Sequence, residues 1–324
     1  MQKVIIFFVV SFAISLVLSP LILKLLRKLK ASQTVLHYVA QHKDKTGTPT
    51  MGGFIFILPM LVASFFLLRK ANPLTNIVIL ASLGYAVLGF LDDFIKIKTK
   101  KNLGLRAYQK IAGQGGIAVL VSIFYYFANP DGRIFVPFLN TFWDIGLWIA
   151  PLTFFVLVAT TNAVNLTDGI DGLAGSVSFI YLAFMAAIIT LLAKIVPLPE
   201  ANTLLAVLAV TCGGLLCFLL FNTHKAKIFM GDTGSLYLGS ILALTSVFSF
   251  GAFFILFLGI MFVWSAVSVI IQVAYFKKTG GKRVFLMTPY HHHLEKRGLT
   301  EAKIVMIYCT ITILAGALCV LSML

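Results

Sequence analysis

The chain of 324 residues is 60% hydrophobic and 11% charged, with a mean hydropathy of +0.99. That composition excludes a soluble protein, and no segment reads as a soluble domain. The net charge of +15 would suggest nucleic acid in a soluble chain. In a membrane chain, basic loops on the cytoplasmic side account for it, so no nucleic-acid partner is expected.

Apolar runs follow one another at about 17–25 residues, the length a spanning helix needs. The alternating segments of a β-barrel are absent from the pattern. The first run begins after Met1-Gln-Lys3 and ends at about residue 23, with Pro20 near its end. It lacks a small-residue cleavage site and leads into Lys24, Arg27, Lys28 and Lys30. It is therefore a retained span rather than a signal peptide. Further spans are predicted at about 53–68, 74–91, 112–128, 145–161, 173–193, 202–221, 233–250, 253–275 and 304–323. The 145–161 run is short, and the 233–250 run is rich in Ser, Thr and Gly. The fold class is thus an all-α integral membrane protein of ten spans in one domain, residues 1–324.

Ten spans put both termini on one side. Of the 26 basic residues, 21 fall in the loops at 24–45, 96–110, 225–227 and 277–303, and five fall in the other set with the N-terminus. Basic residues mark the cytoplasmic side, so both termini are expected outside. Asp92, Asp93, Asp168, Asp171, Asp232 and all six His then face the cytoplasm. Cys212, Cys217, Cys309 and Cys319 lie in apolar runs without paired His, as small core residues do.

Five constellations return to that face. Lys45-Thr-Gly-Thr-Pro-Thr-Met-Gly-Gly53, which includes Thr50, is like a phosphate-reading loop but lacks the Walker spacing. Lys96 and Lys110 flank another loop. Attraction to lipid headgroups is the competing account of these lysines. Asp92 and Asp93 follow the apolar run ending at Leu91. Adjacent acids on a helix point about 100° apart, so one can hold a cation while the other takes a proton. The plain alternative is an acidic helix end.

Asn162-Ala-Val-Asn-Leu-Thr-Asp-Gly-Ile-Asp-Gly-Leu173 interrupts two apolar runs with Asn, Asp and Gly and no basic residue. Carboxylates at a bilayer edge call for a compensating cation or partner. If a helix starts here, Asp168 and Asp171 share a face; helix capping by Thr167 or Asp168 is the alternative. Phe229-Met-Gly-Asp-Thr-Gly-Ser235 sets Asp232 between glycines at a helix start. Asp232 suits a cation and the backbone N–H groups suit an anion, which together fit a metal-bound phosphate; an Asp N-cap is the alternative. Pro289-Tyr-His-His-His-Leu-Glu295 offers imidazoles for phosphate contacts or proton movement. Three adjacent His make a poor zinc site, and a solvated loop is the alternative. Carboxylates with phosphate select Mg²⁺ over zinc, which points to phosphoryl chemistry on a membrane surface.

These five motifs, in order and across the whole chain, resemble the phospho-N-acetylmuramoyl-pentapeptide transferase family, within the polyprenyl-phosphate N-acetylhexosamine-1-phosphate transferases. The resemblance implies a Mg²⁺-dependent homodimer in the bacterial inner membrane. It implies transfer of phospho-MurNAc-pentapeptide from UDP-MurNAc-pentapeptide to undecaprenyl phosphate, giving lipid I and UMP. Carried onto this chain, Asp92, Asp93 and Asp232 are the catalytic acids, with His291 and His292 beside them. Asp232 and Asp168 are the metal side. Lys45, Thr50, Lys96 and Lys110 hold phosphates. Asn165, Asp168, Gly169, Asp171, Asn222 and Phe229 form the nucleotide side, with Phe229 stacking on uracil. Direct attack is expected rather than a covalent intermediate on an acid. The alternatives are a polyprenyl-phosphate GlcNAc-1-phosphate transferase and, from another class, an ion-coupled secondary transporter with acids at the bilayer midplane.

Overall fold

A computed structural model describes residues 2–29, 47–69, 73–99 and 104–324. In chain order these form α1 (Gln2–Lys28), α2 (Phe54–Leu67), α3 (Pro73–Thr99), α4 (Ala107–Ala128), β1 (Arg133–Val136), β2 (Thr141–Asp144), α5 (Ile149–Thr167), α6 (Leu173–Ile195), α7 (Ala201–Asn222), α8 (Gly231–Phe248), α9 (Phe254–Leu258), α10 (Ile260–Lys278), α11 (Tyr290–Lys296) and α12 (Glu301–Leu321). Eight helices are long and apolar enough to cross a membrane: α1, α3, α4, α5 with its short 3₁₀ lead, α6, α7, α10 and α12. The chain is a multi-pass membrane protein. Helix α2 is apolar but has only 14 residues.

Helix α8 is the axis. It packs on α2, α3, α5 and α6, and every residue in it except Asp232 is buried. Because protein surrounds it, it can carry Ser, Thr and Gly. Its hydroxyls bond back to its own carbonyls, as from Ser240 to Tyr237 at 2.7 Å and from Ser246 to Leu242 at 2.8 Å. Its neighbours approach through small residues, the usual device of membrane helix packing. A Cβ on Gly89 of α3 would collide with the Asp232 carbonyl, and one on Gly239 would come within 2.6 Å of the Thr161 Cα.

Several expected boundaries shift. Helix α3 continues to Thr99, so Asp92 and Asp93 lie inside it, not beyond its end. Helix α5 continues to Thr167, which makes Asn162 and Asn165 helical. Asp168 and Asp171 therefore sit in a tight turn, not on the face of a starting helix; Gly172, at φ +76°, opens α6. The predicted span at 253–275 breaks at Gly259 into α9 and α10. The His run forms helix α11, not a solvated loop.

No strand was expected, yet β1 and β2 form an antiparallel hairpin with Phe135 opposite Phe142. Its backbone bonds to the end of α8, from Phe135 N–H to the Phe250 carbonyl at 2.8 Å. The aromatic content of 133–144 suits a half-buried hairpin as well as it suits an apolar run.

Candidate active site

Close packing of α3 on α8 brings three carboxylates together. Asp92, Asp93 and Asp232 each offer an oxygen within 4.8 Å of the others. Asp92 and Asp93 are buried, 2% and 0% exposed. As adjacent helical residues they diverge. Asp93 turns to the start of α8, where its Oδ2 accepts from Thr233 N–H at 2.9 Å and Thr233 Oγ1 at 2.7 Å. Asp92 turns to the loop before α4, where its Oδ1 accepts from Leu105 N–H at 2.9 Å. Gly104 makes that approach possible, since a Cβ there would lie 2.6 Å from Asp92 Oδ1.

The predicted lysines and one asparagine close around the acids. Lys96, one turn beyond Asp92 on α3, is 2.5 Å from Asp92 Oδ2 and 3.7 Å from Asp93 Oδ1. Both Lys96 and Lys110 donate to Asp232 Oδ2, at 2.8 and 2.9 Å. Asn165 donates to Asp232 Oδ1 at 2.5 Å and to Ser235 Oγ at 2.8 Å. Asp168, which caps α5, is not in the three-acid cluster but feels it. Burial, then the charges of Asp232, Asp93 and Asp171, push its carboxyl up from 3.8 to about 7.

The Gly-rich segment before α2 lies along the start of α8. Phe229 N–H bonds to the Pro49 carbonyl, and Gly52 N–H bonds to the Phe229 carbonyl, both at 2.8 Å. Thr50 is thereby buried, and a Cβ on Gly231 would lie 2.8 Å from Thr50 Oγ1 and 2.5 Å from Asp93 Oδ2. Lys45 lies outside the described residues. From the far side, α11 seats His291 and His292 against the turn after α5. A Cβ on Gly169 would collide with His291 Nε2 and come within 3.2 Å of His292 Nε2. His291 is fully buried, and His292 Nδ1 pairs with Glu295 Oε2 at 2.5 Å. His293 points elsewhere, its Nδ1 accepting from Leu286 N–H at 3.1 Å.

Two predicted residues stand apart from the triad. Asn222 ties two loops together: its Oδ1 accepts from Gly172 N–H at 3.1 Å, and its Nδ2 donates to the Ile228 carbonyl at 2.8 Å. Asp171 accepts from Ala226 N–H at 2.9 Å and clusters with His224 and Glu301 within 4.8 Å. Sequence reasoning passed over Thr233 and Ser235, although both sit in the quoted Asp232 motif. It also passed over Gln114, which holds Asn162 at 2.6 Å, and Glu295. Glu295 closes the quoted His motif, and its spacing from His292, one helical turn, is the signal of their pairing.

The donor set fits Mg²⁺. All three groups offer carboxylate oxygens, which suit a hard cation. Asp93 Oδ1 is buried with no hydrogen-bond partner among the described residues, and so is Thr50 Oγ1.

The family model for glycosyl transferase family 4 matches residues 75–250. That stretch holds the three acids and excludes α11. A phospho-N-acetylmuramoyl-pentapeptide transferase from Thermoanaerobacter sp. (strain X514) is 42% identical over 318 residues, covering 97% of this chain and 97% of the relative. The protein of that name from Clostridium botulinum (strain Alaska E43 / Type E3) is 41% identical over 96% of this chain and 93% of its own. The one from Listeria innocua is 40% identical over 97% and 96%. The chain belongs to the phospho-N-acetylmuramoyl-pentapeptide transferase family. Asp92, Asp93 and Asp232 lie within the matched region, whereas α11, with His291 and His292, lies outside it.

Proposed function

We propose that this chain transfers phospho-MurNAc-pentapeptide from UDP-MurNAc-pentapeptide to undecaprenyl phosphate, giving lipid I and UMP. The observation that carries this is near-full-length identity of 40–42% to enzymes of that name. An oxygen of the lipid phosphate forms a bond to the β-phosphorus of the nucleotide sugar, and the bond from that phosphorus to the bridging oxygen breaks, so the oxygen leaves with UMP. The triad would hold Mg²⁺, which when bound would supply charge neutralisation for the phosphate oxygens. Asp232 is the principal metal ligand, with Asp168 beside it. Asp92 and Asp93 share the site, Asp92 as base or orienter of the lipid phosphate. Lys45, Thr50, Lys96 and Lys110 hold phosphates. Asn165, Gly169, Asp171, Asn222 and Phe229 form the nucleotide wall, and His291 and His292 face the diphosphate or sugar. Attack is direct, since Lys96 and Lys110 hold the phosphates for it without a covalent intermediate on an acid.

We further read one transferase domain with ten spans, both termini outside, in a bacterial inner membrane and acting as a homodimer. Helices α2 and α8 complete the ten, and the 21-to-five split of basic residues supports the sidedness. The C-terminal ends of α3 and α5 meet the N-terminal ends of α4 and α8 around one cluster, as alternating spans require.

The test is UMP release by purified protein with Mg²⁺, undecaprenyl phosphate and either UDP-MurNAc-pentapeptide or UDP-GlcNAc. Turnover of the first alone is expected, and turnover of UDP-GlcNAc instead moves the chain to the GlcNAc-1-phosphate branch. Asp232→Asn is expected to lower UMP release by roughly 100- to 1,000-fold, the loss of an electrostatic catalyst, with an unchanged gel-filtration profile. Full activity in that variant removes the metal assignment.

A further inference from the structure

Three carboxylates within 4.8 Å repel one another unless cations stand among them. Two ammonium groups do so. Asp232 Oδ2 receives both, Lys96 at 2.8 Å and Lys110 at 2.9 Å, and Lys96 is also 2.5 Å from Asp92 Oδ2. One oxygen of the carboxylate assigned to the metal is thus held twice over by lysines. The two arrive from different elements: Lys96 rides on α3 with Asp92 and Asp93, while Lys110 comes from the first turn of α4. Each has a flexible four-carbon stem and a compact charge, so each can swing to another anion without the backbone moving.

We infer that Lys96 and Lys110 are resident counter-ions of the triad, which a divalent cation displaces toward the phosphates of the nucleotide substrate. This rests on the triad being the metal site. A metal held by the Asp232 carboxylate would compete with the two ammonium groups on its Oδ2. Once displaced, they stay beside the site and their nearest new anion is the diphosphate. The lysines therefore act with opposite sign on the two ligands: they weaken metal binding and strengthen diphosphate binding. They also couple the two, since whatever helps the metal release a lysine helps the nucleotide, and the coupling is reciprocal. A lysine that merely supports the fold would weaken both ligands when removed.

The experiment uses full-length protein in detergent. Mn²⁺ binding is read by the loss of its free electron paramagnetic resonance signal, with Mg²⁺ as competitor. UDP binding is read by calorimetry with and without metal. Lys110→Gln is expected to bind Mn²⁺ roughly tenfold tighter, as one charge-assisted hydrogen bond stops competing. The same variant should bind UDP several-fold weaker and lose most of the metal–UDP cooperativity. Lys96→Met, on the other element, is expected to shift both affinities the same way. If Mn²⁺ affinity is unchanged or weaker in both variants while wild type binds Mn²⁺ and Asp232→Asn does not, the counter-ion role is wrong and the metal site stands. If wild type binds no Mn²⁺, or Asp232→Asn binds it as wild type does, the metal reading fails and takes this inference with it.

Discussion

Helices α1 and α8 differ in almost the reverse of the way a soluble protein teaches. Helix α1 exposes Ile5, Ile6, Val9 and Val17 and buries Ser11, Ser15 and Ser19. Those serines bond to the Val210 carbonyl at 2.6 Å, the Ile55 carbonyl at 2.8 Å and the Ser15 carbonyl at 2.6 Å. Helix α8 buries everything but the carboxylate-bearing Asp232. Lipid is as apolar as leucine, so apolar side chains gain little by leaving it, and small polar residues hold the helices together. Hydropathy therefore marks α1 strongly and the enclosed, Ser- and Thr-bearing α8 weakly.

The sharpest way to break that contrast is at Gly89, where α3 meets α8. An added methyl meets the Asp232 carbonyl backbone, which has no rotamer to yield. Gly89→Ala must push the two helices apart and carry Asp232 away from Asp92 and Asp93. Overpacking of this kind costs about 1–3 kcal/mol, while a misplaced reacting group loses roughly 100-fold in rate. UMP release is expected to fall by about that factor, with a modest drop in the thermal midpoint. Activity within twofold of wild type would show that the α3–α8 spacing is not what assembles the triad.

The same contrast explains what the sequence made legible. Apolar length located the eight helices long and apolar enough to cross a membrane, since length and apolarity are what a span needs. It treated α8 as weak, since Ser, Thr and Gly are read as loop formers until their helical neighbours are known. It ended α3 and α5 where the apolar run stopped, at about Leu91 and Thr161. Both helices continue because Asp92 and Asp93 are buried, and Asn162 and Asn165 half-buried, against protein and need no apolar surface. It fused α9 and α10 because Gly259 alone marks the break. The identities of Asp92, Asp93, Lys96, Lys110, Asn165 and Asp232 were visible in the motifs. Their pairing was not, because the partners come from four helices and each hydrogen bond is a tertiary fact. The ties of Asn222 were hidden for the same reason: a polar side chain at the end of α7 gives no sign in sequence that both its ends meet backbone from two loops.

A smaller effect sharpens the charge side of the comparison. Asp168 carries a carboxyl raised to about 7 by burial and by the charges of Asp232, Asp93 and Asp171. In the unfolded chain it titrates at about 3.9. Between those values the folded state binds a proton that the unfolded state does not, so this group costs stability as pH rises from about 4 to 7 and nothing further above. Asp168→Asn has no such slope. In metal-free protein, the thermal stability of the variant relative to wild type is expected to climb from pH 5 to 7 and then level. A difference independent of pH would show that Asp168 is ionised throughout and does not feel the triad.

The smallest effect belongs to the outward face of α1. Val17 is 70% exposed, and in a bilayer that exposure is to acyl chains. Val17→Ala removes two methyl groups from a lipid contact and leaves lipid in their place, with no cavity to form and no transfer to water. The stability change is expected to stay within about 0.5 kcal/mol, as for substitutions away from packed features, and UMP release should be unchanged. A buried Val→Ala in a core opens a cavity and costs a few times more. The measurement is the thermal midpoint in lipid nanodiscs. A loss of several degrees would mean that a protein surface, not lipid, covers this face, and α1 would then belong with α8 among the enclosed helices.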